Sequence, residues 1–256
     1  MCWEKFSLEG RVAVVTGAGR GLGKEMAFAM AGAGASLVLV SRTEEEIRKV
    51  AEQIAGLGKK AIAVPADVTK YEQVKNMAER AITEFGRIDI LVNNAGTHIE
   101  GDFLDFPEEQ WRELVAVNIE AIFVCTQVIG RYLVKQRSGK IINITSMNAV
   151  RPRPKGVVYD STKGAILTFT KALAREWARY GVNVNAVGPG YFLTPLMQSL
   201  MDRDGVDEKS LAKKAIPLGR MGRPEELGPL VVYLASSASD FMTGECIYID
   251  GGTLIR

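Results

Sequence analysis

The residues Thr16-Gly17-Ala18-Gly19-Arg20-Gly21-Leu22-Gly23 follow the apolar run 12–15 and lead into an amphipathic stretch. A short buried strand, a glycine-rich turn and a helix in this order let a phosphate approach the backbone N–H groups at a helix N-terminus. The spacing is G-x-x-x-G-x-G, because Leu22 stands where the G-x-G-x-x-G fingerprint has its third glycine. The stretch therefore predicts a dinucleotide-binding turn made of Gly17, Gly19, Arg20, Gly21, Leu22 and Gly23.

The same alternation of an apolar run, a turn and an amphipathic stretch continues along the chain. Nearly continuous apolar runs between helical patterns are typical of a parallel sheet that is covered on both faces. The sequence predicts one α/β domain over residues 1–256, with a doubly wound parallel sheet of about seven strands. The predicted strands are 12–15, 37–40, 61–64, 88–92, 141–144, 182–187 and 246–249, and the predicted helices are 22–33, 43–57, 71–85, 107–136, 158–180 and 224–235.

Three helix starts and one interruption refine this topology. Thr43 and Glu46 have the T-x-x-E spacing of a capping box, Pro107 suits a first helical turn, and Pro224 precedes two glutamates. The segment of about 191–215 breaks the alternation, and a long irregular insertion in a compact domain is usually functional. We expect it to form an irregular lid over the substrate.

Composition limits the classes of function. The 256 residues carry 32 Lys+Arg and 30 Asp+Glu, and this net charge of +2 gives no electrostatic reason to expect nucleic-acid binding. Cys2, Cys125 and Cys246 are too widely spaced for a disulfide framework or a metal site. Glu4 and Lys5 interrupt any signal peptide, and no window approaches the ~18 apolar residues of a membrane span. We expect a cytoplasmic protein with reduced thiols, no metal and no membrane partner.

The end of the second predicted strand, Val40-Ser41-Arg42-Thr43, bears on the choice of cofactor. An acidic residue here would bond the ribose 2′-hydroxyl of NAD, but no carboxylate stands at the strand end. The Arg42 guanidinium suits a phosphate instead, and Arg20 could reach the same phosphate. Ser41 and Arg42 therefore favour NADP(H) over NAD(H). The alternative is that Arg42 is a solvated loop charge.

Tyr159 and Lys163 lie one helical turn apart in the sequence Tyr159-Asp160-Ser161-Thr162-Lys163. A phenol has a reference pKa near 10, and a nearby ammonium together with a positive nicotinamide ring would stabilise the phenolate. The pair alone could also be an ordinary helix pair with an extended lysine. Ser146 ends the fifth apolar run, where ligands of such sheets bind.

Taken in order, TGAGRGLG, NNAG, Ser146, YDSTK, the Pro189-Gly190 turn and the closing IDGG resemble the short-chain dehydrogenase/reductase family, in its single-domain Rossmann-type branch. The resemblance implies that Tyr159 is the general acid/base and that Lys163 holds the nicotinamide ribose. It implies that Ser146 bonds the substrate oxygen and that Asn118 anchors a water relay. It also implies cofactor contacts from Asp67 (to adenine), Val68, Asn94, Ala95, Gly96, Pro189, Gly190 and Thr194 (to the carboxamide).

The resemblance narrows toward the gluconate 5-dehydrogenase branch through residues 6–8, 106–111 and 189–194. That branch often has basic residues after NNAG, whereas this chain has Thr97-His98-Ile99-Glu100. The basic loop around Arg151 and Arg153 suggests a carboxylate or phosphate on the substrate, although a solvated loop is the alternative. The candidate substrate contacts are His98, Asn148, Arg151, Arg153 and Tyr191.

Two other functions remain open. A 3-oxoacyl-[acyl-carrier-protein] reductase would share every catalytic residue, and Arg137 and Arg179 could face an acidic carrier protein. The alternative is that both arginines lie at exposed helix ends. A non-catalytic NADP(H)-sensing protein on the same fold belongs to a different functional class. The resemblance also suggests that the helices 107–136 and 158–180 pair across two-fold axes, which gives a homodimer or homotetramer.

Overall fold

The computed structural model describes residues 2–255, without the side chain of Cys2. Within that range seven parallel strands form one sheet in the order β3-β2-β1-β4-β5-β6-β7. The order reverses between β1 and β4, so the carboxyl ends of these two strands flank a crevice. The strands are β1 (Val12–Thr16), β2 (Ser36–Ser41), β3 (Ala61–Pro65), β4 (Ile90–Asn93), β5 (Gly139–Ile144), β6 (Val182–Pro189) and β7 (Cys246–Ile249).

Helices connect the strands and cover both faces of the sheet, which confirms the predicted single-domain α/β fold. They are α1 (Gly21–Gly32), α2 (Glu44–Gly56), α3 (Tyr71–Phe85), α4 (Glu108–Val115), α5 (Ala121–Gln136), α6 (Val157–Trp177), α7 (Pro195–Asp204), α8 (Glu208–Ala215) and α9 (Gly228–Ala235).

Successive residues of β1 face two different cores. Ala13 and Val15 pack with residues of α1, α2 and α9, whereas Val12 and Val14 pack with residues of α3, α5 and α6. All four side chains are buried. Because neither face of the strand meets water, both alternating sets of side chains must be apolar. This is why the strands read as continuous apolar runs.

The predicted helix 107–136 is one helical run with an irregular turn in it. A π-helical turn, Ala116–Glu120, joins α4 to α5. Such turns occur often at functional sites. The run Glu108–Gln136 is long and apolar enough, by length and composition alone, to cross a membrane, but half of its most apolar window is buried in the fold. The helix therefore packs as a core element of the domain.

Several local expectations need correction. Thr43 occupies the N-cap position of α2, but its hydroxyl makes no capping hydrogen bond. Pro107 is the N-cap residue of α4 and precedes the first turn. The lid segment is helical: Thr194 caps α7 by accepting a hydrogen bond from the Met197 N–H, and Asp207 caps α8. Met201 of α7 and Ala212 of α8 form a small core with Ile216 and Met221 of the following loop, which orders the segment.

Candidate active site

A cavity of about 560 Å³ lies at the carboxyl ends of the strands, between the glycine turn and helix α7. This volume falls in the usual range for ligand sites. Every candidate site residue except Asn118 and Arg151 lines it: Gly17, Gly19, Arg20, Gly21, Leu22, Gly23, Ser41, Arg42, Asp67, Val68, Asn94, Ala95, Gly96, His98, Ser146, Asn148, Arg153, Tyr159, Lys163, Pro189, Gly190, Tyr191 and Thr194.

The glycine turn has the geometry that a pyrophosphate requires. Gly17 and Gly21 have φ values of 66° and 56°, which side chains rarely adopt. A Cβ on Gly23 would overlap the carbonyl oxygen of Gly17, so only glycine allows this close passage. Arg20, the N-cap residue of α1, makes no capping hydrogen bond with its side chain. The first N–H groups of α1 are thus left for an anionic ligand, which fits a dinucleotide.

Hydrogen bonds tie the end of β1 to the loop that follows β4. The Thr16 hydroxyl donates to the Val92 carbonyl at 3.2 Å and accepts from the N–H groups of Asn94 and Ala95. The Asn94 side-chain amide donates to the carbonyls of Thr16 and Gly17 at 2.9 and 3.1 Å. These bonds fix the glycine turn against the loop that leads to the reacting groups.

Two arginines mark the end of the cavity near β2, and each has a carboxylate beside it. Arg20 Nη1 lies 3.9 Å from Glu46 Oε1. Burial acts to raise the pKa of Asp67, but hydrogen bonds from Thr69 and the positive charge of Arg42 outweigh it and lower this pKa. The cationic groups predicted to bind a phosphate are therefore present, within a partly acidic surrounding.

Tyr159 faces the cavity from the first turn of α6, with Ser146 beside it. Burial raises the pKa of Tyr159 to about 12, although a hydrogen bond from Ser146 lowers it in part. Lys163 Nζ lies 5.7 Å from the centre of the Tyr159 ring and donates to the Ile144 carbonyl at 3.2 Å. The sequence predicted that the phenolate is stabilised when a cofactor is bound. In the protein without a cofactor, burial has the larger effect on the pKa of Tyr159 and favours the protonated phenol.

Lys163 is a buried ammonium at the base of the cavity. Only 6% of the residue is exposed, and desolvation lowers its pKa to about 8. A Cβ on Gly96 would lie 3.6 Å from Lys163 Nζ, so the loop after β4 closes directly over the ammonium. Lys163 nevertheless lines the cavity, so a bound group could reach its ammonium there.

Asn118 lies in the π-helical turn, is fully buried and supports the site from behind. Its amide nitrogen donates to the Thr97 carbonyl at 3.0 Å and to the Thr162 hydroxyl at 3.1 Å, and its oxygen accepts from the Thr97 N–H. Both amide donors are thus used in joining the loop after β4 to α6. A water relay through Asn118 stays a prediction.

The opposite end of the cavity holds a cluster of charged groups around Glu100. Glu100 Oε1 lies 2.7 Å from Arg153 Nη2 and 3.3 Å from His98 Nε2, and Oε2 lies 3.2 Å from Arg203 Nη2 of α7. A hydrogen bond from His98 and the charge of Arg153 lower the pKa of Glu100 to about 2 despite its partial burial. The cluster joins the loop after β4, the basic loop and the lid.

The candidate substrate residues separate into two groups. The His98 ring meets Tyr159 edge-on at 4.3 Å, and Arg153 and Tyr191 line the cavity. Asn148 lines it too, and its side-chain oxygen is buried without a hydrogen-bond partner among residues 2–255. Arg151 does not join them, because its guanidinium donates to the Thr253 carbonyl. Of the two arginines predicted to face the substrate, only Arg153 lines the cavity, and the prediction for Arg151 is wrong.

Sequence reasoning missed four charged residues in or beside the cavity. The sequence assigns Glu46 to helix capping and treats Glu100 only as a departure from a basic motif. Arg203 and Asp204 lie within the segment expected to be irregular, where Asp204 lines the cavity and pairs with Arg203 at 2.7 Å. Glu100, Arg203 and Asp204 lie in segments predicted to border the substrate, but only the packing of loops against α7 brings Glu100 and Arg203 together. Glu46 lies in a predicted helix start, and no sequence pattern indicates its place at the cavity.

Comparison with known proteins agrees with this geometry. The family model described as "short chain dehydrogenase" matches residues 11–205. A 2-dehydro-3-deoxy-D-gluconate 5-dehydrogenase of Escherichia coli is 40% identical and covers 100% of both chains. A 3-oxoacyl-[acyl-carrier-protein] reductase of Thermotoga maritima is 35% identical over 97% of this chain and 99% of its own. The crystal structure of a gluconate 5-dehydrogenase from Burkholderia cenocepacia, in complex with NADP and tartrate, is 36% identical, covers 100% of both chains and superposes with a TM-score of 0.94.

The Escherichia coli and Burkholderia proteins match the whole chain, whose glycine turn, Ser146, Tyr159 and Lys163 line one cavity. Together these matches define an oxidoreductase that interconverts alcohols and ketones with a nicotinamide cofactor. The chain belongs to the short-chain dehydrogenase family. Within that family it resembles gluconate 5-dehydrogenase, as its sequence motifs predicted.

The buried charge of Lys163 predicts that removing this candidate catalytic residue makes the folded protein more stable. We expect Lys163→Met to raise the free energy of unfolding of the cofactor-free protein by about 1–3 kcal/mol at about pH 7, because it removes a desolvated ammonium. The folded-state pKa of about 8 lies below the unfolded value of 10.5. The ammonium of Lys163 therefore destabilises the folded protein in full below about pH 8, and this destabilisation disappears above about pH 10.5.

Urea unfolding at the two ends of this pH range measures the effect. The gain should be present at about pH 7 and absent above about pH 10.5. Lys171→Met, which removes an exposed lysine of the same helix, is the matched control and should change stability little. A Lys163→Met protein less stable than wild type at neutral pH would contradict the argument.

Proposed function

We propose that this protein is an NADP(H)-dependent oxidoreductase that interconverts a secondary alcohol and a ketone on a sugar acid, such as gluconate and 5-ketogluconate. One observation carries the proposal. In a single cavity, Ser146, Tyr159 and Lys163 lie between a phosphate-binding glycine turn and the cationic group of Arg153. A substrate carbonyl beside Tyr159 could thus have a cofactor on one side and an anionic group bound on the other.

Tyr159 moves the proton in the proposed reaction. Its pKa of about 12 keeps the phenol protonated at neutral pH, so it can donate to the carbonyl oxygen during reduction. Ser146 holds the same oxygen by a hydrogen bond. A bound nicotinamide supplies the hydride in reduction and accepts it in oxidation. Lys163 binds the ribose, and its ammonium lowers the cost of forming the phenolate when the reaction runs toward the ketone.

The cofactor preference rests on the cationic groups near β2. Arg42 lines the cavity just after β2, and Arg20 lies in the glycine turn. A guanidinium binds a phosphate by paired, charge-assisted hydrogen bonds, whereas the same place holds no carboxylate at the strand end for a ribose diol. The Burkholderia relative binds NADP. These points support NADP(H) as the favoured cofactor, with Asp67 at the adenine.

The substrate class rests on Arg153 and on the relatives. Two relatives are named for gluconate-type sugar acids. Arg153 reaches the cavity with Glu100 already beside it, so a substrate carboxylate would share or displace this ion pair. The 35% identical reductase from Thermotoga maritima keeps the 3-oxoacyl-[acyl-carrier-protein] reductase as the second candidate.

The first experiment measures oxidation of NADPH and of NADH, side by side, with 5-ketogluconate, other keto-sugar acids, an acetoacetyl thioester and simple ketones. We expect turnover of keto-sugar acids with NADPH. Arg42→Ala should raise the Kd for NADPH about tenfold and spare that for NADH. A preference for NADH would contradict the assignment of Arg42, and turnover of the thioester alone would favour the second candidate.

Tyr159→Phe separates catalysis from binding in the same assay. We expect it to abolish carbonyl reduction and to leave the Kd for NADPH within about twofold of wild type, because only the proton-transferring oxygen is lost. The wild-type protein could instead reduce no carbonyl compound, while wild type and Tyr159→Phe bind NADPH equally well. That result would contradict the enzyme and favour a non-catalytic NADP(H)-sensing protein.

Arg153 and Arg151 offer a matched pair of variants for the substrate. Arg153→Ala should raise KM for a keto-sugar acid about tenfold, with little effect on a neutral ketone, because it removes the cationic group at the cavity. Arg151→Ala should leave both KM values unchanged, since this guanidinium bonds the Thr253 carbonyl. Equal effects of the two variants would show that substrate charge is not recognised here.

We also propose a homodimer or homotetramer in the cytoplasm. Phe123 on α5 is 47% exposed and contacts Phe169 on α6, with ring centres 4.9 Å apart, so an aromatic pair lies on an exposed face. Exposed apolar patches of this kind often mark an interface. We expect light scattering at micromolar concentration to give an oligomer and Phe123→Asp to weaken it. A monomeric wild-type protein would contradict the proposal.

A further inference from the structure

We propose that Glu46 opposes the binding of a 2′-phosphate at the glycine turn and thereby sets how strongly this protein prefers NADP(H) over NAD(H). The inference rests on the proposed function, in which Arg42 and Arg20 face that phosphate. It goes further, because it gives a specificity role to a carboxylate that works against those arginines.

Glu46 is the one glutamate of its helical turn that reaches the cavity. Glu44 and Glu45 precede it in the first turn of α2, but both are exposed and neither lines the cavity. Glu46 is half-buried, and its Oε2 would lie only 2.7 Å from a Cβ placed on Gly19. Its carboxylate therefore lies directly against the glycine turn, on the side where the cofactor is expected.

Helix capping does not explain this position. The hydroxyl of Thr43 makes no capping hydrogen bond, so the capping box that the sequence suggested is not formed. A carboxylate in a first turn does interact favourably with the helix dipole. Glu44 and Glu45 lie in that turn as well and supply the same interaction. Glu46 can therefore lose its charge without removing a cap from α2.

The charge of Glu46 acts on the phosphate in two ways. A phosphate monoester carries about −1.5 to −2 charges at neutral pH, so the carboxylate repels it. The carboxylate also pairs with Arg20 at 3.9 Å and competes with the phosphate for that guanidinium. NAD(H) has a hydroxyl in place of the 2′-phosphate and lacks both effects at that position, while any repulsion of the pyrophosphate is common to the two cofactors and cancels in their comparison. Both groups are partly solvated, so the effect is of moderate size.

Isothermal titration calorimetry on the full-length protein tests this without an activity assay. The ligands are NADP⁺, NAD⁺ and the fragment 2′,5′-ADP, which carries the phosphate of interest. We expect Glu46→Gln to lower the Kd for NADP⁺ and for 2′,5′-ADP about three- to tenfold, and to keep the Kd for NAD⁺ within about twofold. Glu46→Lys should lower the first two further. Adding about 0.5 M NaCl should reduce the difference between Glu46→Gln and wild type.

Glu44→Gln is the matched control, because it removes the same charge from the same helical turn outside the cavity. It should leave all three Kd values within about twofold of wild type. An unchanged Kd for NADP⁺ in Glu46→Gln, or an equal gain for NADP⁺ and NAD⁺, would overturn the proposal. So would a gain of the same size in Glu44→Gln, because the effect would then come from net charge alone.

Arg42→Ala, measured in the same titrations, reports on the proposed function separately. If it leaves the Kd for NADP⁺ unchanged, the assignment of Arg42 to the phosphate is wrong. The role of Glu46 is then still decided by the Glu46→Gln variant, through its change in Kd for NADP⁺ and 2′,5′-ADP compared with that for NAD⁺. The two failures are therefore distinguishable.

Discussion

The site depends on the hydrogen bonds that join Thr16 to the loop after β4. In a parallel sheet whose strand order reverses between β1 and β4, nothing in the strand pairing fixes the loops beyond the strand ends. The Thr16 hydroxyl and the Asn94 side-chain amide supply that connection through four hydrogen bonds, which join Thr16 at the end of β1, and Gly17 after it, to the loop after β4. The glycine turn and the loop after β4 thus keep one relative position, and hydride transfer between a cofactor and a substrate tolerates little displacement.

The same loop carries the constraint on to the buried ammonium. Asn118 holds the Thr97 peptide and the Thr162 hydroxyl, so the loop after β4 is tied to the helix that bears Tyr159 and Lys163. Desolvation lowers the pKa of Lys163 to about 8. The buried ammonium below the cavity therefore destabilises the folded protein at neutral pH. Such polar connections in a buried place rigidify a site when every member has a partner. Here the two donors of the Asn118 amide do.

The sequence was sufficient for the parts of the fold that local patterns determine. Continuous β-branched runs predicted the strands, and the order of the glycine turn, NNAG, Ser146 and Tyr159 predicted which residues meet at one cavity. The expectation of an irregular lid was wrong because the segment forms two short helices of 10 and 8 residues, whose apolar side chains pack with residues of the neighbouring loops in a small core. The prediction that Arg151 faces the substrate was wrong for another reason. Its long side chain points to the Thr253 carbonyl, a partner far along the chain that local sequence does not reveal. Glu100 and Arg203, 103 residues apart, meet only after the loops have packed.

The two ends of the cavity share an electrostatic arrangement. Near β2 an arginine of the glycine turn faces Glu46, and near the lid Arg153 faces Glu100. An anionic ligand group at either end must therefore compete with a resident carboxylate for its cation. Competition of this kind lowers the affinity for an anionic group at either end and leaves an uncharged group in the same place unaffected. Each glutamate therefore reduces the advantage that its arginine gives to a phosphate or a carboxylate over an uncharged group.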